Sequence, residues 1–62
     1  MKAIFLVDVE IESGRRRMSV NKGDVLSAED DGDFYILRKR RNGSRVRAPK
    51  SEEGKIYKIV ED

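Results

Sequence analysis

Turn-forming clusters interrupt this chain so often that no stretch between them sustains helical periodicity over ten residues, which directs the fold toward short strands and tight connections. The clusters are Ser13-Gly14, Asn21-Lys22-Gly23-Asp24, Asp30-Asp31-Gly32-Asp33 and Asn42-Gly43. Ahead of the first, Ala3 to Ile11 contains Val7, Val9 and Ile11 alternating with Asp8, Glu10 and Glu12, the period of a half-buried strand. Met18 to Val20, Val25 to Ala28, Phe34 to Arg40, Ser44 to Ala48 and Ile56 to Val60 are the further apolar or β-forming stretches. The expected fold is all-β: one domain over residues 1–62, with five strands in a small barrel or rolled sheet.

Size and composition exclude several classes of function. A chain of 62 residues buries only about 60% of its unfolded surface, so its core is thin. It contains no cysteine and no histidine, which removes disulfides, thiolate metal sites, the commonest metal ligand and the commonest general base. No spacing of carboxylates, lysines or tyrosines demands chemistry, so neither catalytic residues nor a cofactor are expected. Asp30-Asp31-Gly32-Asp33 is too short for a helix-loop-helix calcium site and reads as an acidic turn. The isolated glycines form no phosphate-cradling motif, and no small-molecule substrate is expected. The longest apolar run, Ala3 to Val7, is too short for a signal-peptide core or a membrane span, so a cytoplasmic location is expected.

Charge is unevenly placed. Residues 1–33 carry five Lys/Arg and eight Asp/Glu, a net of −3, while residues 34–62 carry nine and four, a net of +5. Residues 38–50 hold seven basic side chains and no acid, which suits a polyanion or an acidic protein surface; a solubilising face is the plainer alternative.

Hairpin register separates two kinds of charge. A two-residue turn at Ser13-Gly14 places Glu12 opposite Arg15, Ile11 opposite Arg16, Glu10 opposite Arg17, Val9 opposite Met18 and Val7 opposite Val20. That pairing accounts for Arg15 and Arg17 by cross-strand attraction, gathers Val7, Val9, Met18 and Val20 on the core face and leaves Arg16 over. A turn at Asn42-Gly43, the strongest short-range hairpin signal in the chain, gives Arg41 opposite Ser44, Arg40 opposite Arg45, Lys39 opposite Val46, Arg38 opposite Arg47 and Leu37 opposite Ala48. Leu37, Val46 and Ala48 then face the core, and four arginines face one another on a surface that Ile36 and Phe34 continue. Like charges placed directly opposite are destabilising. Such a face is either used for binding or covered by acids, with Asp8, Glu52 and Glu53 as the candidates.

The order of these segments resembles the Src-homology-3 (SH3) domain. Phe5-Leu6-Val7-Asp8-Val9-Glu10 is similar to the family's opening Ala-Leu-Tyr-Asp-Tyr-Glu strand, and Met18-Ser19-Val20-Asn21-Lys22-Gly23-Asp24 to its Leu-Ser-Phe-x-x-Gly-Asp/Glu segment. Gly32-Asp33-Phe34-Tyr35 resembles Gly-Asp-Trp-Trp, Asn42-Gly43 stands at the distal hairpin, and Ala48-Pro49-Lys50-Ser51 resembles the Ile-Pro-Ser-Asn before a short terminal turn. The resemblance spans residues 5–60 and implies a single five-stranded SH3-like barrel with Leu37 and Ala48 in its core. It also implies a protein that holds proline-rich segments between aromatic side chains. The positions matching those aromatics carry Val7, Val9, Phe34 and Glu52, and Pro49 alone keeps the family's residue. Barrels of this shape in bacteria, archaea and phages also bind DNA, RNA or other proteins.

Two non-enzymatic functions follow. In the first, Arg38, Arg40, Arg45 and Arg47, with Lys39, Arg41 and Arg16 nearby, contact the phosphates of DNA or RNA, while Phe34 or Tyr35 stacks on an unpaired base. In the second, Phe34 and Ile36 with the same arginines form a protein interface, as in a subunit of a larger machine or a small, phage-encoded inhibitor of a host protein. DNA versus RNA, the partner's identity and the oligomeric state are left open.

Overall fold

A computed structural model describes residues 1–39, 43 and 45–61, with the backbone alone at Ser13 and Arg16. The expectations placed on Arg40, Arg41, Asn42, Ser44 and the Arg16 side chain lie outside the described residues.

The described residues form seven strands, β1 (Lys2–Phe5), β2 (Val9–Ser13), β3 (Arg16–Val20), β4 (Val25–Asp31), β5 (Phe34–Arg38), β6 (Arg45–Pro49) and β7 (Tyr57–Val60), and a 3-10 turn, η1 (Lys50–Glu52), before the last. Five of them make an antiparallel sheet in the order β6-β5-β4-β1-β7, and β2 pairs with β3 as a separate hairpin. This corrects the expectation of one five-stranded barrel, since there are two sheets and neither closes.

The correction starts at Leu6–Asp8, where the expected single opening strand breaks into β1 and β2. Long-range hydrogen bonds hold the break. The Leu6 amide donates to the Ile56 carbonyl at 2.7 Å, and Asp8 Oδ1 accepts from the Lys22 amide at 2.8 Å. Val7, expected in the core, sits in this bend and is 43% exposed.

Alternation along each strand divides the large sheet into an inner and an outer face. The inner face supplies Ala3 and Phe5 from β1, Leu26 and Ala28 from β4, Leu37 from β5, Val46 and Ala48 from β6, and Tyr57 from β7, all buried. Met18 and Val20 of β3 complete the core, with Val9 and Ile11 of β2 partly buried against it, so the hairpin lies over the inner face. Leu37 and Ala48 are core residues, as both the hairpin reading and the family resemblance expect. Full burial of a side chain such as Leu37 contributes about 1.5–3 kcal/mol. Tyr57 anchors the aromatic centre, 5.6 Å from the Phe5 ring and edge-on to Tyr35 at 6.2 Å.

Both expected hairpin registers are displaced by two residues. In β2–β3 the pairs are Val9 with Val20, Ile11 with Met18 and Glu12 with Arg17, so Gly14-Arg15 forms the turn and Glu10 faces Ser19 rather than Arg17. Gly14 has φ +64; the turn needs a left-handed residue at its first central position, which glycine supplies without the Cβ penalty. In β5–β6 the pairs are Leu37 with Val46, Ile36 with Arg47 and Arg38 with Arg45. A slip of two preserves the faces, because side chains alternate with period two. The acidic cluster is shorter than expected as a loop, since Asp30 and Asp31 belong to β4 and the turn is Gly32-Asp33.

Candidate binding surfaces

Of the arginines singled out from the sequence, Arg38, Arg45 and Arg47 lie on the outer face of β5 and β6. On β5, Phe34, Ile36 and Arg38 are half-buried, and on β6, Arg45 and Arg47 are exposed. Register places Arg38 directly across from Arg45 and Ile36 across from Arg47. On the other side of β5, Asp31 of β4 faces Phe34 and Glu29 faces Ile36. Arg38 therefore reaches Glu29 at 3.5 Å and Arg47 reaches Asp31 at 3.9 Å. The Arg47 guanidinium also lies 4.5 Å above the centre of the Phe34 ring, a cation–π contact.

Glu29 and Asp31 thus meet Arg38 and Arg47, and among the described residues Asp8, Glu52 and Glu53, expected in that role, form no ion pair with Arg38, Arg45 or Arg47. Neither Glu29 nor Asp31 is evident in this role from the sequence while Asp30-Asp31-Gly32-Asp33 reads as one loop, which leaves their register against β5 unset. The Gly32-Asp33 dipeptide is the signal that could have found them, since a two-residue turn there sets both carboxylates beside β5. Arg45 has no carboxylate within ion-pair distance among the described residues. Lys39 is not on this face: its Nζ donates to the Ser19 carbonyl at 3.1 Å and ties the end of β5 to β3.

A second surface comes from elements far apart in sequence. Between β2, β6 and η1 runs a groove of about 300 Å³. Val9 and Ile11 line it from β2, Pro49 from β6 and Ile56 from the segment before β7, over the buried Phe5 and Tyr57. Glu10 and Glu12 border it on β2 and Glu52 on η1, while Arg47 stands at the ridge shared with the arginine face.

The groove is braced on the β6 side. The Tyr57 hydroxyl donates to the Pro49 carbonyl at 2.7 Å, fixing the end of β6 to β7. Burial pushes the Tyr57 pKa up to about 12, so the hydroxyl holds its proton throughout the neutral range. Nearby, the Lys50 ammonium contacts Asp30 at 2.8 Å and lies 5.0 Å from the Tyr35 ring centre. The Asp30 hydrogen bond raises the Lys50 pKa above its ordinary value, and Lys50 is thereby a brace between η1 and β4. Among the described residues no group of three or more carboxylates is placed to hold a metal ion, and no helix is long and apolar enough to cross a membrane.

Comparison with protein-family profiles, curated proteins and solved structures finds no match. The functional reading therefore rests on these two surfaces.

Proposed function

We propose that this chain is a non-enzymatic protein-binding module of Src-homology-3-like build, whose groove between β2, β6 and η1 receives an extended segment of its partner. The observation that carries the reading is the groove's make-up: an aliphatic floor of Val9, Ile11, Pro49 and Ile56, bordered by three glutamates and a single arginine. Concave, mainly apolar surfaces with a few charged groups are where binding concentrates. The family resemblance is supported by the placement of η1, a short turn directly after Pro49, and by the tight turn before Phe34.

Ligand class follows from the floor. Among the described residues, the aromatics lining the groove are Phe5 and Tyr57, each 1% exposed and part of the core, so they form no open slot to clasp a proline helix. Branched aliphatic side chains fit the floor, and a lysine or arginine on the partner meets Glu10, Glu12 and Glu52. Titration of isotopically labelled protein with synthetic peptides tests this by amide shifts. A lysine–isoleucine peptide is expected to move Val9, Ile11, Glu52 and Ile56 saturably, more strongly than a proline-rich peptide. Glu52→Lys should weaken that binding by about tenfold, or about 1.4 kcal/mol. Absence of saturable shifts at these residues rejects the reading.

A further inference from the structure

We infer that the outer face of β4, β5 and β6 is a second docking surface, for an acidic protein segment that lies extended along β5 and alternates a carboxylate with aliphatic side chains. It does not depend on the groove.

Charge comes first. Arg38 and Arg45 are directly opposite each other, an arrangement that repels. Glu29 approaches Arg38 at 3.5 Å on the side away from Arg45, and among the described residues no carboxylate lies within ion-pair distance of Arg45. A carboxylate arriving from outside can accept from both guanidinium groups and relieve the repulsion, forming charge-assisted hydrogen bonds in the geometry arginine favours.

Shape comes next. From the Arg38–Arg45 pair the same face continues through Ile36 beside Arg47 to Phe34 beside Pro49. Successive positions on one face of a strand are about 6.8 Å apart, which equals the spacing of alternate side chains in an extended ligand. Its carboxylate would sit over the arginine pair, the next side chain on that face over Ile36, and the third over Phe34 and Pro49. Arg47 is already stacked on Phe34 and near Asp31, so ordering it costs a partner little.

The charge pattern weighs against phosphates as the occupant. A nucleic-acid backbone gains most from several cations free of partners, whereas Arg38 and Arg47 each have a carboxylate within their own sheet. An aliphatic, acidic segment uses Phe34, Ile36 and the arginines together.

The test is an amide-shift titration of the labelled full chain with a synthetic Glu-Ser-Leu-Ser-Leu peptide, its lysine-for-glutamate counterpart, and single-stranded and duplex oligonucleotides at one physiological salt concentration. The glutamate peptide is expected to shift β5 and β6 saturably. Arg45→Glu should weaken that peptide at least about tenfold and make the lysine peptide the better ligand, a reversal that mere loss of structure cannot produce. Glu52→Lys, in the groove, should leave this binding unchanged. The inference is overturned if the glutamate peptide gives no saturable shift, or if oligonucleotides bind more tightly and lose affinity with the same Arg45 variant, which would make the face a phosphate surface. Failure of the groove peptides alone leaves this result standing, and the reverse also holds.

Discussion

The two hairpins solve the same charge problem differently. In β2–β3, acid and base face each other across the ladder, and Arg17 reaches Glu12 at 2.9 Å. In β5–β6, the arginines face each other and the compensating carboxylates come from a third strand, β4. In the first hairpin the Glu12–Arg17 pair closes within the ladder, while the second draws its compensation from the sheet that receives it. In the second hairpin Arg45 has no carboxylate within ion-pair distance among the described residues, and the acidic segment proposed above would supply one.

The core sharpens this comparison with the largest expected effect. Leu37 of β5 is 0% exposed and Met18 of β3 is 9% exposed. Leu37→Ala should cost about 2–5 kcal/mol, enough to unfold much of so small a domain, and Met18→Ala should fall at the low end of that range. Urea denaturation followed by circular dichroism measures both. Equal losses would mean that the β2–β3 hairpin is as integral to the core as the sheet.

Alkaline titration tests the brace under the groove. Tyr57 ionises at about 12 when folded against an ordinary value of 10.0. Its folded pKa is raised, so its contribution is complete below pH 10.0 and is lost as pH climbs from there toward about 12. Stability should fall across that window, and Tyr57→Phe should remove part of the fall while costing about 1 kcal/mol for the hydrogen bond to Pro49. An unchanged alkaline slope in the variant would show that the hydroxyl is not the group responsible.

The smallest effect addresses the charge comparison itself. Glu29→Gln and Asp31→Asn should each destabilise by up to about 1 kcal/mol, and less in high salt, because these pairs are solvent-exposed. Glu12→Gln should do so by no more. The distinguishing result is coupling: replacing Arg45 with alanine should partly rescue Glu29→Gln, since it removes the repulsion that Glu29 offsets, whereas no substitution in β5–β6 should rescue Glu12→Gln. Strict additivity in the double variant would erase the distinction between the hairpins.

Which side chains share a face was legible from the sequence, because alternation is local. Leu37, Val46 and Ala48 point inward and Phe34, Ile36, Arg38, Arg45 and Arg47 outward despite the two-residue slip in register. Which residue faces which was not legible. Placement of the first turn hinged on putting Gly14, not Ser13, at the left-handed position. The break at Leu6–Asp8 is invisible in an apolar run, since it is enforced by Ile56 and Lys22, distant in sequence. The groove was equally hidden: Pro49 stands out only through the family resemblance, and Ile11 and Ile56 are ordinary strand residues until β2, β6 and η1 meet. The roles of Glu29 and Asp31 exist only once β4 pairs with β5.

The pairing of β1 with β7 joins Lys2 to Val60 and Phe5 to Tyr57, the two extremities of the described chain. Between them, β4, β5 and β6 form a meander whose contacts are local, a kind of structure that assembles early because little chain entropy is lost in closing its loops. The β1–β7 ladder, by contrast, spans the largest sequence separation of the strand pairs among the described residues and on the same argument is expected to form last. Tyr57 sits in that ladder with its hydroxyl on Pro49, so the wall of the groove becomes firm only when the ends of the chain meet. Binding at the proposed groove would then depend on the β1–β7 pairing.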